Sequence, residues 1–120
     1  MPVVHIDLFR NETEFDCFNA GATIFAEGDP GNLMYVVFDG QVRLSVKGKE
    51  VELLGPGNVM GELSLIDAAP RSATATAVTE CKLVPITEHR FMFMVQQTPK
   101  FALQIMRVIA DRLRAMDTRL

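Results

Sequence analysis

Residues 61–75 read GELSLIDAAPRSATA, and both the fold and the chemistry of this chain turn on them. A single carboxylate, Glu62, stands nine positions before a single guanidinium, Arg71, with a turn of helix expected over 63–66 and a proline and small residues between. An arginine fork can clamp two oxygens of a phosphate, a geometry that lysine does not reproduce. A carboxylate accepts well from vicinal hydroxyls but repels phosphate, so Glu62 is expected to face the opposite end of a ligand. Gly61 lets the backbone approach closely, and the N–H groups opening the helical turn add donors and a dipole favourable to an anion. The pattern suits a compact ligand that carries both a phosphate and a sugar hydroxyl. The same two residues have another use: an ion pair with each other and no ligand at all.

Upstream, the chain is punctuated at short intervals by glycine and proline. Between them lie runs rich in Val, Ile, Phe, Tyr and Thr at 23–26, 34–38, 41–46, 50–54, 73–78 and 82–85. Many short strands in a mainly β unit are expected from such spacing. Asp29-Pro30-Gly31 and Lys47-Gly48-Lys49 carry turn chemistry. Val42, Leu44 and Val46 alternate with Arg43, Ser45 and Lys47, as in a strand with one buried face. Residues 5–16 read as a short helical or irregular segment, with Glu12, Glu14 and Asp16 forming a solvated acidic face.

Downstream of Ile86 the period becomes helical. Thr87 is placed to cap a helix running to about Gln97, with Ile86 and Phe91 as a hydrophobic staple. Thr98-Pro99 restarts the chain, threonine capping and proline taking the first helical position. The last helix, from Pro99 nearly to the end, has two apolar faces. One is a heptad seam of Ala102, Met106, Ile109, Leu113, Met116 and Leu120; Ile105 and Val108 lie on a neighbouring face with Arg112 beyond them. Residues 91–94, Phe-Met-Phe-Met, read as core, as do Leu63, Leu65 and Ile66.

Together, the segment 61–75, the run FNAGATIFAEGDPGNLMYVVFDGQVRL (18–44) and GPGNVMGE (55–62) closely resemble the cyclic-nucleotide-binding domain family, over roughly nine tenths of the chain. That family includes regulatory subunits of cAMP-dependent protein kinase, nucleotide-gated channels and bacterial catabolite activator proteins. The glycines at 21, 28, 31 and 40, with Asp29 and Tyr35, stand in the family's order. The resemblance implies a β-roll, jelly-roll-like, with a short cassette helix and two C-terminal helices.

Site residues follow from the resemblance. Glu62 is expected on the ribose 2′-hydroxyl with the Gly61 amide beside it, and Arg71 on the exocyclic phosphate oxygens. The backbone N–H groups of Ser64 and Ser72 would complete the phosphate shell, with Ala73 behind them and Leu63 alongside. Leu44 and Val51 are candidates for the apolar wall of the base. The final helix would cover the pocket with the face of Ile105 and Val108, and Arg112 would stack on the base. Met60, Asn58 and Ser64 depart mildly from the family pattern and remove no required interaction. The Ser72 hydroxyl fits either phosphate or the amino group of a syn guanine; cAMP is preferred over cGMP.

Composition agrees with one domain over 1–120, the β-roll spanning about 17–86 and the helices 87–120. The 48% apolar and 22% charged content is that of an ordinary globular domain. A net charge of −3 disfavours direct nucleic-acid binding. No apolar run reaches membrane-spanning length and no signal peptide is evident, so the bacterial cytoplasm is the expected location. Cys17 and Cys81 read as small buried or half-buried hydrophobes, and His5 and His89 as surface residues without metal-ligand spacing.

The expected protein is not an enzyme and needs no cofactor beyond its ligand, cAMP or cGMP. It is a stand-alone sensor that signals through its last helix, by homodimerisation or through an unknown protein partner. Two rivals remain: a ligand-free β-roll used as a dimeric scaffold, and a small metalloenzyme on a cupin-like barrel, which would need clustered histidines.

Overall fold

A computed structural model describes residues 3–117. A 3-10 turn at Ile6–Phe9 leads into eight strands among the described residues: β1 Asp16–Phe18, β2 Thr23–Phe25, β3 Met34–Asp39, β4 Val42–Val46, β5 Lys49–Leu54, β6 Val59–Met60, β7 Thr74–Ala77 and β8 Cys81–Ile86. Helix α1, Glu62–Asp67, interrupts them between β6 and β7; α2, Glu88–Gln97, and α3, Lys100–Asp117, follow. The strands form two antiparallel four-stranded sheets in the orders β1-β8-β3-β6 and β2-β7-β4-β5. The mainly β roll with flanking helices expected from the sequence is the fold observed.

Two layers of core explain the arrangement. Val37, Val42, Leu44, Leu54, Met60 and Leu83 fill the space between the sheets. Val36, Val84 and Ile86 belong to a second cluster in which Leu65, Phe101 and Ile105 seat the helices against the roll. Strand β3 serves both, since adjacent residues of a strand point to opposite faces: Val36 enters the helical core and Val37 the inter-sheet core. Lys47 and Gly48 both have positive φ, so β4 and β5 are joined by a type I′ two-residue hairpin.

Beta 1 and β6, three and two residues long, fall below the length at which alternation can be read. Thr87 caps α2 as expected, its hydroxyl accepting from the Arg90 amide at 3.2 Å. Alpha 3 begins one residue after Pro99, where the Thr98 carbonyl accepts from Phe101 at 2.9 Å.

Several burial expectations are corrected. Leu65 is buried, but Leu63 and Ile66 are 42% and 52% exposed. Three residues apart on a helix, they share a face that Leu65 does not. The same geometry splits 91–94: Phe91 and Met94 pack on the core, whereas Met92 and Phe93 are exposed. Cys81 is buried, but Cys17 is exposed on a strand whose next residue, Phe18, turns inward instead. Glu12 is not a solvated acid. It pairs with Arg90 and ties the N-terminal segment to α2.

Candidate functional site

The turn that opens the site is built by residues far apart in sequence. Arg71 donates its amide to the Asp29 carbonyl at 2.8 Å, and its own carbonyl accepts from Gly28 at 2.8 Å. Asp29 closes its turn by accepting from Ala26 at 3.1 Å. The glycine-rich segment 26–31 is therefore the splint that holds the arginine's backbone.

The Arg71 side chain lies in a slot between two glycines. A Cβ on Gly31 would sit 2.3 Å from its Nε, and one on Gly61, whose φ is +77°, 2.3 Å from its NH1. Phe25 lies under the guanidinium, 4.3 Å from ring centroid to Cζ, and stacks in turn on Tyr35. NH1 donates to the Leu33 carbonyl at 2.9 Å and the Gly61 carbonyl at 3.4 Å. Nε is buried with no acceptor. Arg71 is 7% exposed and makes no ion pair among the described residues. Burial pushes its pKa down, against the opposing fields of Tyr35, Asp29 and Glu62. A buried, under-compensated cation with an unused donor is a site short of an anion.

At the other end of the cavity the charges are over-supplied. Glu62 opens α1 and is 5% exposed. Its carboxylate is held by Arg112 of α3, not by Arg71. Arg112 also donates from Nε and NH2 to the two oxygens of Glu52, at 3.1 and 3.4 Å, and from NH2 to the Val59 carbonyl at 2.6 Å. Burial would lower the Arg112 pKa, but Glu62 and Glu52 outweigh it and the net shift is upward. The expected stacking of Arg112 on a base is not its arrangement here; the guanidinium is spent on two carboxylates.

A cavity of about 560 Å³ lies between these ends, within the range of small-molecule sites. All ten residues singled out from the sequence line it: Leu44, Val51, Gly61, Glu62, Leu63, Ser64, Arg71, Ser72, Ala73 and Arg112. The Ser64 hydroxyl is committed to the Ala69 carbonyl at 2.6 Å, which leaves its amide as the group available to a ligand. Ile105 and Val108 do not cover the cavity, because both are buried in the helical core. Ile109 and Leu113, two members of the heptad seam, line it instead. Met116's side chain and Leu120 lie outside the described residues.

Phe25, Val46, Glu52 and Met60 also line the cavity and were not singled out from the sequence. Phe25 had a signal, an aromatic ending the strand before the Gly28-Asp29 turn. Glu52 had none. Leu44 pairs with Glu52 while the next residue, Ser45, pairs with Glu50, so Val51 is an extra residue in β5. A bulge of this kind re-aims side chains and brings Val51 and Glu52 to the same cavity. Among the described residues no three His, Cys, Asp or Glu side chains cluster as a metal would require, and no helix is long and apolar enough to cross a membrane.

Residues 16–98 match the model of the cyclic nucleotide-binding domain. The chain is 34% identical over 108 residues to the CRP-like cAMP-activated global transcriptional regulator of Mycobacterium tuberculosis, covering 86% of this chain and 48% of that one. The crystal structure of the Thermus thermophilus catabolite activator protein superimposes with a TM-score of 0.82 at 33% identity, over 95% of this chain and 56% of that one. A structure reported for a cyclic-GMP-dependent signalling pathway of bacterial phytopathogenesis gives 0.78 at 28% identity, over 91% of each chain. This chain thus spans about half the length of the curated bacterial regulators it matches.

Proposed function

The chain belongs to the cyclic nucleotide-binding domain family, and from that premise we propose that it senses a cyclic mononucleotide, cAMP in preference to cGMP, in the cavity between Arg71 and Glu62. The observation that carries the reading is the buried Arg71 guanidinium, desolvated and with Nε unused. A cyclic phosphate supplies the missing acceptor and the missing charge. Glu62, one of whose oxygens accepts from Arg112, retains acceptor capacity for the ribose 2′-hydroxyl. The apolar stretch formed by Leu44, Val46, Val51 and Met60 suits the faces of a purine.

Signalling runs through α3, either within one chain or across a homodimer, or through a protein partner. Exposed Met106 on the heptad seam is available for such a contact. A preference for cGMP is the second reading, favoured by Ser72 at the cavity wall, whose hydroxyl suits a guanine amino group. Isothermal titration with cAMP, cGMP and a cyclic dinucleotide tests both. Saturable binding of cAMP, tighter than cGMP, is expected; no heat with any cyclic mononucleotide overturns the function and leaves the ligand-free scaffold.

A further inference from the structure

A one-residue bulge in strand β2 decides where Phe25 points. Thr23 lies opposite Thr76 of β7, but Phe25 lies opposite Ala75, so Ile24 is the extra residue. Burial alternates along β7: Thr74 and Thr76 are half-buried, Ala75 and Ala77 fully buried. Cross-strand partners share a face, so without the bulge Phe25 would stand beside Thr74, on the outer face. The bulge turns it to the inner face, where it lines the cavity. There the ring lies 4.3 Å beneath the Arg71 guanidinium. It stacks in turn on Tyr35, from the opposite sheet, with ring centroids 6.3 Å apart and planes 20° apart.

We propose that Phe25 is a positioning residue whose ring face holds the Arg71 cation in place while leaving the N–H groups of its fork free for a ligand oxyanion. The proposal rests on the binding function given above and concerns how its anion-binding group is kept ready. A buried cation needs compensation, yet an ion pair or a full set of carbonyls would consume the donors that a phosphate must reach. Only NH1 is spent in that way, on the Leu33 and Gly61 carbonyls. Neither Nε nor NH2 has a protein acceptor among the described residues. An aromatic face attracts a guanidinium through its quadrupole and takes no N–H in return. Asp29 and Glu62 both act on Arg71 at longer range. With no ring beneath it, the guanidinium is free to turn towards either carboxylate, and a ligand must first recover it. The ring is present with and without ligand, so its attraction for the cation largely cancels from the affinity. Its effect comes from the unproductive states it removes, because apparent affinity scales with the fraction of protein that is competent to bind.

Calorimetry with cAMP tests this on wild type, on Phe25→Leu and on proteins carrying mono-, di- and trifluorophenylalanine at position 25. Phe25→Leu should bind roughly three- to thirtyfold more weakly, the range expected of a desolvated cation–π contact. Fluorine draws charge from the ring face and keeps the ring's shape. Affinity should therefore fall in steps as fluorines are added and approach that of Phe25→Leu at the trifluoro ring. In the unliganded protein the Arg71 Nε–H, buried in wild type, should exchange with water severalfold faster in Phe25→Leu and in the trifluoro protein, as read by NMR.

Affinity that stays flat across the fluorinated series overturns the proposal even where Phe25→Leu is weaker, since the ring would then act by its volume. Unchanged Nε–H exchange in the unliganded variants overturns it independently of any ligand. Wild type that binds no cyclic nucleotide overturns the function itself and the ring's part in it, an outcome distinct from either of these.

Discussion

Two arginines bracket one cavity and are treated in opposite ways. Arg71 is buried in a glycine slot with an aromatic ring beneath it, carbonyls for partners and a donor left over. Arg112 is bonded to two carboxylates and a carbonyl. Burial lowers the pKa of the first, while counter-charges raise that of the second. On the proposed function, the difference separates a binding group from a structural one. A cation that the fold leaves under-compensated gains from an external anion, whereas one already neutralised holds pieces of the fold together. Exposed Arg43–Glu50, at about half exposure on both sides, is a third case worth roughly 0–1 kcal/mol.

The comparison breaks most sharply at Arg71. Truncating one partner of a desolvated charge pair costs about 2–5 kcal/mol, so Arg71→Ala should weaken cAMP binding by about two orders of magnitude or more. Arg71→Lys should recover only part of this. An alanine variant that titrates like wild type would falsify the phosphate assignment.

Next in size is Glu62→Gln, which keeps the shape but gives up the charge that both the ribose and Arg112 use. Hydrogen bonds to charged groups are worth roughly 1.5–3 kcal/mol, so about ten- to hundredfold weaker binding is expected. Removing the ribose 2′-hydroxyl should cost wild type a similar factor and the variant little more. Losses that simply add in the double cycle would mean that Glu62 is not the ribose partner.

A subtler test compares two glycines on the same turn. Gly31→Ala drives a methyl group into the Arg71 guanidinium and forces it to shift in its slot, so it should lower affinity severalfold (about 1 kcal/mol). Gly28 has open space around it but a φ of +87°, so Gly28→Ala should instead lower stability, by about 1 kcal/mol, through backbone strain. Equal effects of the two on affinity would remove the slot from the account.

The smallest effect on binding is expected at Met106, 61% exposed and outside the cavity lining. Met106→Glu should leave cAMP affinity within about twofold of wild type while dissociating any dimer formed by the seam. Light scattering with and without ligand checks it. Leu113→Glu is less clean, because Leu113 also lines the cavity.

Much of the roll was legible because its signals are local. Turn chemistry at Asp29-Pro30-Gly31 and Lys47-Gly48, alternation through Val42 and Leu44, and the Thr87 cap each depend on a few neighbouring residues. The cavity residues were legible through the family resemblance, which the order of glycines around Glu62 and Arg71 carries. Burial on the helices was not, because Leu63, Ile66, Met92 and Phe93 look as apolar as their buried neighbours. Which face of a helix meets the core depends on where the helix docks.

The sequence by itself determined a unit of many short strands through its periodicity and, through its resemblance to a family, the cassette and the ten residues that line one cavity, seven of them within 61–73 and Leu44, Val51 and Arg112 outside it. Only the tertiary structure decided which charges pair. Glu62 and Arg71, nine positions apart, are not partners; Glu62 meets Arg112 across 50 residues and Glu52 meets it across 60. A one-residue bulge in β5 and the docking angle of α3 set those meetings. Coulomb energy depends on separation in space, and distance along the chain says nothing about that once the chain has folded back on itself.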